Sequence, residues 1–307
     1  MFNVRKWVLL FLMTVLGLHA AKSQLPALYN QYPFQQMALN PGYAGATGVL
    51  HAVGLARRQW LRYPGAPLNF SFTLDGPLRD EKNSFGVVLN HERTGAVQRQ
   101  TLMGVYAYRL GLGKGRLSFG LQGGAELWQS GIRNVYTVDP GDVKFDPDGR
   151  QFLIPRFGFG VWYENDWMYV GLSAPQILWL NTGALQSDQL DVVRRRFYFA
   201  QAGFRVNLAE NWALKPNTMF RYEQGFRPQV DVGLLVVYRE KYWLGPMWRS
   251  NGDLAVLAAF QLNDQLRLGY AYDFQTSVLR TLSSGSHSLS LTYDFGYRIS
   301  TTRPRYF

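Results

Sequence analysis

The side chains that most often do chemistry are few in this chain and poorly spaced for it. Four histidines occur in 307 residues, His19, His51, His91 and His287, and there is no cysteine. No H-E-x-x-H run or paired-histidine spacing brings two imidazoles to one metal ion, and no thiolate is present to act as ligand or nucleophile. His287 stands among Ser284, Ser286 and Ser288. A hydrolase serine sits on a sharp turn of the G-x-S-x-G kind, and these serines read as a polar turn entering a strand instead. Gly111, Gly113 and Gly115 surround Lys114. Their spacing matches neither phosphate-binding fingerprint and no helix follows, so a hairpin turn is the better account. No catalytic residue, metal site or cofactor is expected.

Two charged runs carry weaker chemistry. The stretch from Asp139 to Gly149 gathers four aspartates among prolines and glycines. Such oxygens suit calcium, but the EF-hand spacing is absent and Asp-Pro and Asp-Gly are ordinary turn formers. Arg194-Arg195-Arg196 offers three guanidiniums able to pair bidentately with lipopolysaccharide phosphates or an acidic surface protein. A solubilising charge run is the alternative.

The elements that hold these residues are extended. From Gln265 to Phe274, Leu266, Leu268, Tyr270, Tyr272 and Phe274 alternate with Gln265, Arg267, Gly269, Ala271 and Asp273. Successive side chains of a strand point to opposite faces, so one face is apolar and the other polar. The pattern recurs at Leu289–Phe295, at Leu117–Leu127 against Arg116–Glu126, and at Leu68–Leu74 against Asn69–Asp75. Segments of about ten residues, apolar outside and polar inside, identify a transmembrane antiparallel β-barrel. Beyond the N-terminus no run reaches the eighteen or so apolar residues that a spanning helix needs.

Strand cores are predicted at 49–60, 67–76, 83–91, 99–110, 115–128, 156–164, 167–174, 196–206, 211–223, 229–239, 241–249, 253–263, 265–274 and 287–296, an all-β fold of about 14 strands. From the fourth strand on, short and long connections alternate, with the link near Ser250 an exception. Outer-membrane barrels keep short turns in the periplasm and long loops outside, which puts both termini in the periplasm. Trp60, Trp128, Trp162, Trp167, Trp212, Trp243 and Trp248 fall near strand ends, where aromatic girdles form. Asp75, Arg116, Glu126, Asp231, Arg267, Asp273 and Asp294 face the lumen in this reading.

Around the barrel, residues 1–23 read as a secretory signal peptide: Arg5 and Lys6, the apolar run Trp7–Leu18, then Ala20, Ala21 and Ser23. Cleavage is placed near Ser23–Gln24, with Ala20–Ala21 as the alternative. Residues 24–48 form a periplasmic or plug segment, 49–296 the outer-membrane barrel and 297–307 a basic tail. The net charge of +11 admits nucleic-acid binding, but an exported chain meets lipid phosphates or acidic proteins instead. No nucleic-acid partner is expected.

Several ordered stretches together resemble the PorP/SprF family of Bacteroidota outer-membrane proteins. They are Asn40-Pro41-Gly42-Tyr43-Ala44-Gly45, with Gly42 where Ala is usual; Arg57-Arg58-Gln59-Trp60 followed by Pro64-Gly65-Ala66-Pro67; Lys114–Leu121; Tyr169–Gln176; Leu262–Phe274; and Gly285-Ser286-His287 leading to Tyr293-Asp294-Phe295. The resemblance implies a barrel without catalytic activity in the cell outer membrane of a Gram-negative bacterium. It implies a component or partner of the type IX secretion system that supports export or surface anchoring of cargo such as gliding adhesins. Asn40, Pro41, Arg58, Gln59 and Trp60 are the candidate recognition residues of these motifs, beside Arg194, Arg195 and Arg196. Asn40-Pro41 also reads as a plain turn, and Arg58 and Trp60 as the end of a strand. A porin-like solute channel is the alternative function.

Overall fold

The computed structural model describes residues 32–79, 81–130, 151–178, 196–274 and 283–296. The signal peptide, the acidic stretch 139–149, Arg194, Arg195 and the tail 297–307 lie outside the described residues.

Alternating side chains give one continuous sheet. Its strands are β1 (His51–Arg58), β2 (Leu68–Pro77), β3 (Asn83–Thr94), β4 (Val97–Leu112) and β5 (Gly115–Ser130). They continue as β6 (Gln151–Glu164), β7 (Met168–Leu178), β8 (Phe197–Phe204), β9 (Val206–Ala209) and β10 (Trp212–Glu223). The last are β11 (Gln229–Tyr238), β12 (Tyr242–Arg249), β13 (Leu254–Gln261), β14 (Leu266–Phe274) and β15 (Ser286–Asp294). Both β8 and β9 pair with β10, at Glu223–Asn217 and Leu214–Trp212 respectively, so they are two halves of one wall strand interrupted at Arg205. The wall therefore has fourteen strands, all antiparallel to their neighbours. It closes where β1 pairs β15 from His51↔Asp294 to Arg58↔His287. Closure leaves no sheet edge whose backbone groups would need water.

The hairpin predicted at Asn207–Glu210 turns later, at Glu210–Asn211, because Val206–Ala209 still pairs with β10. A bulge interrupts β7 near Pro175, which has no N–H to give to a ladder. Its carbonyl accepts a hydrogen bond from Gln122 Nε2 at 2.8 Å. The start of β1 and the end of β15 lie at the end of the barrel where every connection is short; the opposite end carries the three long connections, 131–150, 179–196 and 275–285, beside the short β3–β4 and β12–β13 turns.

The wall has the two faces that alternation requires. Phe70, Leu121 and Leu172 are 48, 63 and 58% exposed on the outside. Asn69, Ser71, Gln122, Asp231 and Asp273, one residue away in parity, are buried inside. Three tryptophans depart from the expected girdle, one of them Trp128, which shares the inward parity of buried Glu126 on β5. Trp167 and Trp212 are exposed on the outer wall, but Trp162 and Trp243 are 1 and 4% exposed and face inward. They share parity with luminal Arg156 and Arg249, and nearness to a strand end does not decide the face.

Candidate functional site

The interior is occupied by the chain's own N-terminal segment. Tyr32, Phe34, Gln35, Gln36, Met37, Leu39 and every residue from Asn40 to Gly45 are buried. Asn40 adopts an extended conformation and caps a short 3-10 turn, Pro41–Tyr43, through Gly42 N–H to Asn40 Oδ1 at 2.9 Å. Proline at the first position of that turn loses no hydrogen bond, since its donor would be orphaned there anyway. The Asn40 amide then donates to the carbonyls of Val161 on β6 at 3.0 Å and Leu172 on β7 at 3.4 Å.

Further contacts tie the segment to strands all around the wall. Gln35 Nε2 donates to Ser71 Oγ on β2 at 2.8 Å, and Ser173 Oγ on β7 to the Leu39 carbonyl at 2.7 Å. Gly45 N–H donates to Asp75 Oδ2 at 2.6 Å, and Arg109 Nη2 on β4 to the Ala44 carbonyl at 3.0 Å. The Tyr32 hydroxyl bonds Asn217 on β10. Tyr43 meets Trp162 edge to face at 5.2 Å, and Trp162 stacks on Tyr169 at 4.8 Å. The segment's apolar side chains merge with inward-facing Val88, Met103, Val105, Met219, Leu235, Val237, Met247 and Leu257 into one core. Burial pushes the hydroxyls of Tyr32 and Tyr43 well above the ordinary tyrosine value of 10.0.

The wall is cut to receive the turn. A Cβ added at Gly120 of β5 would collide with the Pro41 backbone, and one at Gly160 of β6 with the Asn40 amide. Gly42 is tight as well, with Trp162 N only 3.0 Å from where a Cβ would stand.

A second feature is a buried polar chain toward the long-loop end. Arg221 Nη2 donates to Gln229 Oε1 at 2.5 Å, and Gln229 Nε2 to Asp231 Oδ1 at 2.6 Å. Arg249 stands 3.9 Å from Asp231 and 2.8 Å from Asp273. Arg57 Nη1 reaches Asp273 Oδ2 at 2.5 Å and Ser288 Oγ at 2.8 Å. The chain runs from β10 to β1 and crosses the β15–β1 closure. At the short-turn end His51 Nδ1 lies 2.6 Å from Asp294 Oδ1 across the same closure. Among the described residues no group of three or more His, Asp or Glu is arranged to hold a metal ion.

The candidate residues separate by face. Asn40 and Pro41 are luminal. Gln59 is buried, and its N–H donates to the Pro67 carbonyl at 2.9 Å. Trp60 has a left-handed φ of 44°, and its N–H donates to Ser286 Oγ at 3.2 Å. The adjoining Leu61 exchanges backbone bonds with Gly285 and Ser284, so this stretch joins the β1–β2 and β14–β15 connections. Arg58 points outward and is exposed, whereas its neighbour Arg57 carries the buried ion pairs. Sequence reading favoured Arg58 over Arg57; the inward parity of Val53, Leu55 and Gln59 was the signal that separates them. Arg196 is exposed just before β8, apart from the other candidates.

A family model described as type IX secretion system membrane protein PorP/SprF matches residues 21–293. No curated protein matches the chain. Among solved structures, the Acinetobacter baumannii outer membrane protein Omp33 is similar at 8% identity and a TM-score of 0.47, over 80% of this chain and 98% of that one. A mutant Rh. blastica porin is similar at 8% identity and a TM-score of 0.36, over 80% and 99%.

Proposed function

The chain belongs to the PorP/SprF family of type IX secretion system membrane proteins, and from that premise we propose that it is a plugged, non-enzymatic barrel that supports export or surface anchoring of cargo. Family membership and a closed barrel with an apolar outer wall place it in the outer membrane.

The observation that carries the reading is the luminal segment Tyr32–Gly45. A porin keeps a polar, water-filled interior. Here apolar side chains of the segment and of the wall share one buried core. That favours a barrel whose working surfaces are its two ends. In the proposed orientation, the long connections face outside and meet cargo such as a gliding adhesin. The termini and short turns face the periplasm and meet the secretion machinery.

Planar-bilayer conductance together with crosslinking in cells tests this. The intact barrel is expected to stay silent in the bilayer and to crosslink to a secretion component and a large exported protein. Steady porin-like conductance with no such crosslink would favour the solute-channel reading instead.

A further inference from the structure

The outer wall of the first strands is concave. A groove of about 890 Å³ runs across the outer wall from Leu289 and Leu291 on β15, over β1 and past Phe70 and Phe72 on β2, as far as Leu153 on β6. Its floor is low because β1 turns only Gly54 and Ala56 outward there. A Cβ added at Gly54 would meet nothing within 4 Å.

At the long-loop end this groove meets a row of outward side chains. Register sets His287 beside Arg58, Arg58 beside Leu68, Leu68 beside Arg93, Arg93 beside Gln98, and Gln98 beside Gln129. Arg58 and Arg93 are exposed, and the row holds no carboxylate. Two strand spacings separate them, roughly 10 Å. Exposed Arg62 and the edge-to-face pair Trp60–Tyr63, at 6.3 Å, stand just beyond. Gly95 N–H donates to the Gly65 carbonyl at 2.9 Å and holds that connection against the β3–β4 turn. At the corresponding level across the barrel the wall presents Tyr198, Tyr222, Trp248, Leu254 and Phe274, with exposed Arg196 and Arg227 beside them.

An apolar trough ending in two separated guanidiniums and aromatic rings at headgroup level fits a particular kind of lipid. Their Cα atoms stand two strand spacings apart, so each guanidinium can meet its own anionic group when both groups are carried on one broad headgroup. We infer that this face holds a phosphorylated glycolipid of the outer leaflet, of the lipid A type. Its acyl chains lie on Gly54 and Ala56, and its phosphates meet Arg58 and Arg93. The inference rests on the reading that the long connections face outside.

Purified full-length barrel in detergent, offered lipid A or, in parallel, phosphatidylethanolamine and phosphatidylglycerol, tests it by native mass spectrometry. Lipid A is expected to bind with a preference of about tenfold over either phospholipid. The double variant Arg58→Gln/Arg93→Gln is expected to lower that binding by about tenfold or more. Gly54→Leu keeps both charges but fills the trough, and is expected to weaken binding severalfold. Heat-modified gel mobility verifies that each variant is folded. Lipid A binding untouched by either variant, or phospholipids bound as well as lipid A, would overturn the assignment. Loss or survival of cargo export is read separately in cells, so the secretion reading stands or falls on its own result.

Discussion

Asn40 and Gly160 are fitted to each other: the Asn40 amide occupies the space where any side chain at position 160 would begin. The same amide reaches the carbonyls on either side, Val161 and Leu172. The luminal turn and the wall are thus complementary surfaces of one packed interior.

Asn40→Ala removes the cap and two donated hydrogen bonds, and is expected to cost roughly 2 kcal/mol. Asn40→Asp keeps the acceptor for Gly42 but turns a carboxylate oxygen toward two carbonyls. It is expected to be worse than alanine, although it is the smaller chemical change. Urea unfolding in detergent ranks the two; aspartate tolerated better than alanine would contradict the assigned contacts.

Gly120→Val places a branched side chain against the Pro41 backbone. Overpacking of this kind costs about 1–3 kcal/mol. The expected outcome is a displaced segment, read as faster proteolysis between residues 32 and 48 and the appearance of bilayer conductance. Gly104→Val, at an outward position of β4 whose nearest neighbour to an added Cβ is 3.7 Å away, is the control and is expected to do neither.

Arg57→Gln and Arg58→Gln differ by one position and by far more in effect. The first strips Asp273 of one of its two buried partners and leaves Ser288 unanswered, with an expected loss of about 3 kcal/mol or more. The second changes an exposed side chain and is expected to stay within about 0.5 kcal/mol. Equal losses in thermal unfolding would mean that the inward and outward faces of β1 had been misassigned.

Tyr32 and Tyr43 have folded values above the ordinary 10.0 because burial disfavours the phenolate. The stability tied to their neutral forms is complete below that value and is lost as pH rises through the folded values. Ultraviolet titration is expected to show the phenols of Tyr32 and Tyr43 among the late ones, ionising together with release of the segment.

Strand placement and the two faces of the wall were legible because a period of two is a local property, as at β14 and β15. What stayed hidden was set by partners far along the chain. The Asn40 contact with Val161 spans 121 residues and the His51–Asp294 contact spans 243. Trp162 and Trp167 lie five residues apart near the same hairpin, yet one packs on Tyr43 and the other faces outward. Tryptophan at a strand end suits either side: Trp162 follows the parity of luminal Arg156 along β6, whereas Trp167 lies in the turn before Met168, outside that alternation. The Asn40-Pro41 turn was readable as a turn; that it sits inside the barrel was not, because its receiving glycines are on β5 and β6.

The first and last strands meet each other, and the luminal segment runs directly into the first. A cylinder sealed by its own two extremes has no seam through which the segment could slip sideways. Traffic of that segment in the mature protein is confined to the long axis, in or out through an open mouth while its C-terminal end stays tied to the first strand.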